Sequence, residues 1–453
     1  MLCAEIVRNR PAKFFDLCRL VPLRSWCTSI MPELAEKREA ESGVVEVTEN
    51  QAKKPKLDEK DRTYLTQASE AIVMNNAPQV TADGSAETKA TEQKWKLKKF
   101  AMCLTYCGKG YLGLQKNPGF KTIEGDLLEA CVKAGVITPE SAEYPQGISF
   151  QRAARTDKGV SAARQILSLK LPTTKEPPEE MVRKINEHLV DQIRVIGLKR
   201  VTKNFNSKNN ADARTYLYIC PTFAFTPHDQ VVNESYRLPS ERVEEINRLL
   251  KMYIGCHNFH NFTSGKLYTE ASAKRVLFEV DCSSPFMVGK LEYVQFRLKG
   301  QSFMLHQIRK MVGTIIGIMR GYTTEAFITR AFGPEKLDVP KAPPLGLMLD
   351  TVHYTRYDDR YGGDGSHETI TWEEYQDVVH NFKVKHILPN IWDTEENGES
   401  MIGWLADLDI CTFDLARVHE SVPKTVQDAP EDDVHSDDES DVEGHADTDD
   451  KLL

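Results

Sequence analysis

The chain of 453 residues is long enough for two or three domains, and its composition, 40% apolar and 28% charged, is that of an ordinary globular protein. Its ten cysteines form no C-x-x-C pair, which argues against a zinc ribbon and for reduced, intracellular thiols. No run of about 18 apolar residues occurs, which argues against a membrane-spanning helix. The net charge of −9 comes from residues 428–450, which contain twelve Asp or Glu and no Lys or Arg. Residues 94–355 instead carry 38 Lys or Arg against 25 Asp or Glu. This basic region indicates a polyanionic partner such as RNA or DNA.

The first residues read as targeting sequence rather than as a folded domain. Residues 1–30 carry five arginines or lysines against two acids, with bulky apolar side chains between them. This pattern resembles a mitochondrial presequence, and Met31 offers an internal start that would remove it; an unstructured tail is the alternative. Residues 31–93 are rich in Glu, Ala, Lys and Thr and are predicted to be disordered, with a K-K-P-K cluster at 53–56 typical of nuclear import. We therefore expect the mitochondrion and the nucleus as locations.

A folded region is predicted for residues 94–355, in two subdomains at about 94–238 and 239–355. Period-two and helical patterns predict strands at 100–106, 148–155, 165–171, 193–201, 213–220, 274–282, 291–299 and 347–354, and helices at 122–134, 177–189, 241–254 and 304–320. Neighbouring strands mixed with helices predict an α+β fold, two mixed α/β subdomains with a largely antiparallel sheet. A helical extension, 356–418, with a helix around 372–382, and a disordered acidic tail, 419–453, are predicted to follow.

Three glycines within residues 108–113 formally match the dinucleotide-binding pattern G-x-G-x-x-G. That pattern requires a helix to open at the glycines. Here Pro118 follows, and helical periodicity begins only near Thr122. The sequence therefore argues against an NAD-dependent oxidoreductase.

Residues 151–163, Q-R-A-A-R-T-D-K-G-V-S-A-A, concentrate charge beside a glycine. Asp157 lies close to Arg152, Arg155 and Lys158, and nearby opposite charges favour its ionised form. A solvated surface turn with a chance charge cluster is the alternative interpretation.

Two further segments combine apolar periodicity with polar side chains. On the strand 213–220, alternation places Arg214, Tyr216 and Tyr218 on one face, a pattern also typical of a packed core. On the helix 304–320, Arg309 lies at the edge of an apolar stripe formed by Leu305, Ile308, Val312, Ile315 and Ile316. An arginine there pairs with an anion or extends its guanidinium to solvent.

Other residues of this region have structural interpretations. Gly313 and Gly317, four apart on the helix, would allow close packing. His257 and His260 have metal-ligand spacing, but no third ligand accompanies them, so we interpret them as structural.

Three of these motifs, in order, resemble those of the TruA-type tRNA pseudouridine synthases. They are R-T-D-K-G-V-S-A at 155–162, A-R-T-Y-L-Y at 213–218 and F-M-L-H-Q-I-R-K-M-V-G at 303–313. The resemblance spans about residues 98–355, and the K-G-Y and G-Q-S-F segments and long extensions are most similar to the eukaryotic nuclear and mitochondrial tRNA pseudouridine synthase 1 group.

The resemblance implies an isomerase that converts uridine in tRNA to pseudouridine, with mRNA and other RNAs left open. It implies Asp157 as the nucleophile, Arg309 as its partner, Tyr216 stacking on or deprotonating uracil, and Arg155 in base flipping. Further expected substrate contacts are Arg152, Lys158, Arg214 and His306. No metal, nucleotide or other cofactor is expected, and the expected state is a monomer. An RNA-binding protein without catalysis is the alternative.

Overall fold

Ten β-strands build the centre of the computed structural model, which describes residues 96–414 except 173–175, 363 and 399. The predicted presequence, the linker 31–93 and the acidic tail 419–453 lie outside the described residues. The strands are β1 Leu97–Tyr106, β2 Gln151–Arg152, β3 Ser161–Pro172, β4 Ile193–Arg200, β5 Ala213–Pro221, β6 Gly255–Asn258, β7 Lys274–Cys282, β8 Phe286–Val288, β9 Leu291–Gly300 and β10 Leu347–His353.

These strands form one sheet in the order β4-β1-β3-β10-β5-β9-β7-β6, with β2 paired to β3 and β8 to β9. All pairings are antiparallel except that of β10 with β3, which is parallel and matches Met348 with Ser161 and Leu349 with Ala162. The predicted α+β class with a largely antiparallel sheet is therefore confirmed. The sheet runs without interruption through both predicted subdomains, and β5 lies between β10 and β9.

Ten α-helices surround the sheet in the described part of the chain. They are α1 Ile123–Lys133, α2 Pro139–Glu143, α3 Pro178–Glu187, α4 Ser240–Leu250, α5 Gln307–Arg320, α6 Ala326–Phe332, α7 Thr355–Tyr361, α8 Gln376–Phe382, α9 Leu388–Glu396 and α10 Met401–Leu408. Helix α1 begins where the sequence predicts, because the Thr122 hydroxyl accepts a hydrogen bond from the Gly125 amide at 3.2 Å. None of the helices in these residues is long and apolar enough to cross a membrane.

The predicted strand 148–155 is wrong over most of its length. A 3-10 turn occupies Pro145–Ile148, and only Gln151–Arg152 pair with β3. Ile148, at the end of this turn, and Phe150, two residues later, are both buried. Their spacing of two imitates a strand although the backbone is not extended.

Two predicted helices are shorter than their apolar patterns suggest. The helix predicted at 241–254 ends at Leu250, and Gly255, with φ +103°, opens β6 rather than capping the helix. The helix predicted from Met304 begins at Gln307. Leu305 is therefore exposed outside the helix, not part of its buried stripe.

The region beyond residue 355 packs closely on the sheet. Trp372 is buried, and its ring and that of Tyr375 lie against Gly197 of β4. The Nζ of Lys383 lies 3.1 Å from an Asp350 carboxylate oxygen at β10. This region contains the helix expected around 372–382, as α8, and three further helices.

Helix α5 is held close to its neighbours by the two glycines singled out in the sequence. A Cβ at Gly313 would lie 2.3 Å from the Pro340 carbonyl oxygen, and one at Gly317 would lie 2.4 Å from the Phe413 ring. The predicted close packing of this helix is confirmed.

We predict that Gly313→Ala lowers the free energy of unfolding by about 1–3 kcal/mol, because overpacking a tight contact forces the backbone to move. The control is Gly403→Ala on α10, where nothing lies within 4 Å of the added Cβ. That change should be neutral or stabilising by up to about 1 kcal/mol. Denaturant unfolding of both variants compares them, and equal stabilities would contradict the close approach of α5.

Candidate active site

The segment Ala153–Val160, here called the aspartate loop, joins β2 to β3 and is held by buried side chains. Gln165 of β3 donates from Nε2 to the Ala154 carbonyl at 2.7 Å, and its Oε1 accepts from the Ala154 amide at 3.3 Å. Arg214 of β5 donates from Nη2 to the Ala153 carbonyl at 2.9 Å. The start of the loop is therefore fixed before any substrate arrives.

The glycine-rich segment after β1 packs its backbone directly on the aspartate loop. The Leu114 amide donates to the Thr156 carbonyl at 3.1 Å. A Cβ at Gly113, whose φ is +101°, would lie 2.9 Å from that same oxygen, and one at Gly108 would lie 2.4 Å from the Val160 carbonyl. These glycines permit close backbone contact, which explains their presence without a dinucleotide.

Asp157 lies between two basic side chains contributed by α5 and the residue before it. Its Oδ2 is 3.7 Å from Arg309 Nη1 and 3.7 Å from His306 Nε2. The Asp157 side chain is 22% exposed, whereas those of His306 and Arg309 are 5% and 8% exposed. The predicted pairing of Arg309 with Asp157 is therefore present, and one side of the carboxylate is open to solvent.

The backbone fixes both basic residues. Arg309 donates from Nε to the Ala342 carbonyl at 2.7 Å, and the Ala342 amide donates to the Arg309 carbonyl at 3.1 Å. His306 caps α5 in the left-handed region, with φ +63°. A non-glycine residue in this region costs of order 1–3 kcal/mol, and such strain concentrates at functional sites.

Tyr216 of β5 lies near enough to Asp157 for the carboxylate charge to act on its phenol. It is 7% exposed, and its ring centroid lies 5.3 Å from that of Phe303 in an edge-on contact. Burial raises the pKa of Tyr216 to about 12; the Arg214 charge opposes this increase and the Asp157 charge adds to it. The phenol is therefore neutral at neutral pH. Of the two roles expected for Tyr216, this favours stacking on the uracil over removing a proton from it.

Comparison with known proteins decides the family. Residues 249–355 match a family model described as tRNA pseudouridine synthase. The pseudouridylate synthase 1 homolog of Mus musculus is 49% identical over 331 residues, 72% of this chain and 77% of the relative. That of Homo sapiens is 50% identical over 316 residues, 69% of this chain and 73% of the relative.

The chain belongs to the tRNA pseudouridine synthase family. A more distant relative, the tRNA pseudouridine synthase 1 of Yarrowia lipolytica, is 30% identical over 450 residues, 81% of this chain and 84% of the relative. The protein is thus an isomerase of this family, as the motifs indicate. The matched segment contains His306 and Arg309, whereas Asp157 and Tyr216 precede it.

Two of the expected substrate contacts are exposed residues of the synthase's aspartate loop. Arg155 and Lys158 are exposed, Thr156 between Arg155 and Asp157 is buried, and Asp157 is half-exposed. This segment lies outside β2 and β3, so the expectation that Arg155 and Asp157 emerge on one face of an extended strand stays a prediction. Both cations are accessible to an RNA strand.

Two other expected substrate contacts have protein partners in the structure. Arg152 donates from Nε and Nη2 to the buried Glu124 carboxylate at 2.7 and 2.6 Å. Arg214 also donates from Nη1 to the Gln301 carbonyl at 2.8 Å and from Nη2 to the Lys208 carbonyl at 3.0 Å. Both guanidinium groups hold protein segments around the aspartate loop and so position the site, and their contact with the substrate stays a prediction.

Sequence reasoning missed Gln165 and Glu124. Gln165 is a fully buried amide within an apolar strand, and such a polar interruption is a signal that its side chain has a specific partner. Glu124 lies in the first turn of α1, where an acidic residue also has a capping role.

The two histidines with metal-ligand spacing have structural contacts in the synthase. The His257 ring stacks on Phe332 with a centroid distance of 4.2 Å, and His260 Nε2 lies 3.3 Å from the Glu335 carbonyl. Within the described residues, no three His, Cys, Asp or Glu side chains are grouped to bind a metal ion.

We predict that Tyr216→Phe keeps turnover within several-fold and leaves the shape of the pH–rate profile unchanged between about pH 6 and 9. With a pKa of about 12, the phenol stays protonated throughout this range, so removing its proton changes no titration there. Tyr216→Ala, which removes the stacking ring, should lower turnover much further. Loss of an ionisation from the Tyr216→Phe profile would identify the tyrosine as a base.

Proposed function

We propose that this protein isomerises uridine in tRNA to pseudouridine with Asp157 as the nucleophile. The observation that carries the proposal is the Asp157 carboxylate, open on one side and faced by Arg309 and His306 on the other. The adjacent Arg309 guanidinium favours the ionised carboxylate, which is the nucleophilic form. The names of the relatives, pseudouridylate synthase 1 homolog and tRNA pseudouridine synthase 1, support the same reaction and substrate.

The isomerisation breaks the bond between N1 of uracil and C1′ of ribose and joins C5 to C1′ instead. N1 ends with a proton, C5 loses one, and no net oxidation occurs. A carboxylate assists by attacking C1′, as in glycosyl transfer, or C6 of the base, and either attack is compatible with an Asp157 side chain reached from solvent. Arg309 orients this carboxylate, and Tyr216 stacks on the uracil.

The uracil must leave its base stack before Asp157 can reach it, and this costs a few kcal/mol in a paired stem. Arg155 is exposed two residues before Asp157. Its planar guanidinium fills the gap left by the extruded base or holds the phosphate of that nucleotide. Lys158 is also exposed, and its positive charge attracts the phosphates of the same RNA strand.

The finer assignments complete the proposal. The enzyme acts as a monomer. It also modifies uridines in mRNA or other RNAs where the RNA around the uridine has the same fold as in tRNA. It works in the mitochondrion and the nucleus, supported by the basic residues 1–30 and the K-K-P-K cluster at 53–56. A reporter fused to residues 1–30 that stays outside mitochondria would contradict the mitochondrial part.

We expect Asp157→Asn to abolish isomerisation while tRNA affinity stays within a few-fold, because phosphate contacts dominate binding. Tritium release from C5-labelled uridine in a tRNA transcript measures turnover, and filter binding measures affinity. Asp229→Asn, at an exposed aspartate outside the site, is the control and should keep full turnover. Appreciable tritium release by Asp157→Asn would refute the nucleophile assignment.

The proposed role of Arg155 predicts a dependence on substrate pairing. Arg155→Ala should slow a uridine in a paired stem much more than the same uridine in an unpaired oligonucleotide, because only the stem must be opened. Single-turnover rates on the two substrates measure this difference. Equal losses on both, relieved by lower salt, would instead indicate a purely electrostatic role.

A further inference from the structure

Tyr106, the last residue of β1, contacts the aspartate loop through its hydroxyl. Its side chain is fully buried, and the phenol oxygen lies 2.8 Å from Thr156 Oγ1. Thr156 is also buried and directly precedes Asp157. Two buried hydroxyl groups that are 50 positions apart in the chain therefore meet one residue from the proposed nucleophile.

The Gln165 side chain joins this contact. Burial raises the pKa of Tyr106 far above its ordinary value, and hydrogen bonds from Thr156 and Gln165 oppose the increase. The phenol is therefore neutral, and its role is to form hydrogen bonds rather than to transfer a proton. Gln165 also binds both backbone groups of Ala154. Tyr106, Gln165 and Thr156, here called the tyrosine anchor, thus connect β1 and β3 to the aspartate loop.

The peptide group between Thr156 and Asp157 is held at two points. Its carbonyl accepts from the Leu114 amide at 3.1 Å, and the Thr156 side chain is bound to Tyr106. One hydrogen bond fixes a single atom, about which the peptide can still turn. The second bond, through the Thr156 side chain, restricts that rotation. The direction in which the Asp157 side chain leaves the backbone therefore depends on the Tyr106 hydroxyl.

The position of the Asp157 carboxylate matters for the reaction proposed above. Its Oδ2 lies 3.7 Å from Arg309 Nη1, a distance longer than that of a hydrogen bond. The placement of the carboxylate therefore depends also on the backbone that carries it. A misplacement of about 1 Å at a reacting group can cost on the order of 100-fold in rate.

We propose that Tyr106 is a positioning residue for the isomerisation, and that its hydroxyl, through Thr156, holds Asp157 where the extruded uridine reaches it. The proposal rests on the function proposed above and adds a residue that contacts neither the RNA nor the carboxylate. Hydrogen bonds from the supporting residues of a site hold its reacting groups in the productive geometry before substrate arrives.

The test compares Tyr106→Phe with Tyr357→Phe in the full-length protein. Tyr357 of α7 is also buried, and its hydroxyl accepts from the Thr202 amide at 2.9 Å. Thr202 follows Arg200, which pairs with Phe100 of β1, about 20 Å along the strand from Tyr106. Each variant removes one buried phenol hydroxyl and its hydrogen bond, so the two should lose similar stability.

Three measurements separate placement from stability. Single-turnover tritium release from C5-labelled tRNA, with enzyme in excess, measures the isomerisation step, filter binding measures tRNA affinity, and denaturant unfolding measures stability. Tyr106→Phe should lower the single-turnover rate roughly tenfold or more, while tRNA affinity stays within a few-fold. Tyr357→Phe should keep the wild-type rate.

Variants of Thr156 test whether Tyr106 acts through this residue. Thr156→Val removes the second hydroxyl and should slow the reaction as Tyr106→Phe does. Thr156→Ser keeps the hydroxyl and should recover most of the rate that Thr156→Val loses. The double variant, Tyr106→Phe with Thr156→Val, should be no slower than the slower single variant, because both changes break one interaction.

The outcomes distinguish the positioning role from the proposed function. Equal single-turnover rates in Tyr106→Phe and Tyr357→Phe overturn the proposal, and so do losses that multiply in the double variant. If Tyr106→Phe fails to fold, equal rates in Thr156→Val and Thr156→Ser overturn it. A wild-type protein that releases no tritium refutes the proposed function instead. Release by the wild type with unchanged rates in the anchor variants leaves that function standing and refutes only the role of Tyr106.

Discussion

The electrostatic contact of Asp157 with Arg309 and His306 is the interaction on which the rest of the site depends. The three side chains come from the aspartate loop and from the start of α5, two parts of the chain about 150 residues apart. Rigid supports on both sides keep the Asp157 carboxylate facing these two basic side chains. Gln165 and Arg214 provide this rigidity on one side, and the contacts of α5 with Pro340 and Ala342 provide it on the other.

The arginines around the site show how far residue type determines role. Arg309 faces Asp157, Arg152 is bound to a buried glutamate, Arg214 donates to three carbonyl groups and Arg155 is exposed. The pairing of Arg309 could be predicted because a motif and an apolar stripe both locate it. The partners of Arg152 and Arg214 could not be predicted, because they depend on a helix and on loops that reach the site only after folding.

The same distinction applies to the fold. Long strands such as 213–220 and 347–354 could be predicted from apolar patterns, and α1 from its cap. The position of β5 between β10 and β9 could not, because strand order depends on contacts distant in sequence. The segment 148–155 misled because a buried turn and a strand bury residues at the same spacing. Leu305 misled because the left-handed backbone at His306 delays the start of α5.

The parallel pairing of β3 with β10 has a consequence for how the enzyme is made. Ser161 and Met348 are direct partners although 187 positions, from 161 to 348, separate them. As the chain leaves the ribosome, β1, β3 and β4 can pair early, and the nascent protein then holds Asp157 without Arg309. Phe413, which packs on α5, emerges later still. Contacts of such high sequence separation form slowly, so catalytic competence is acquired only after nearly the whole folded chain has been synthesised.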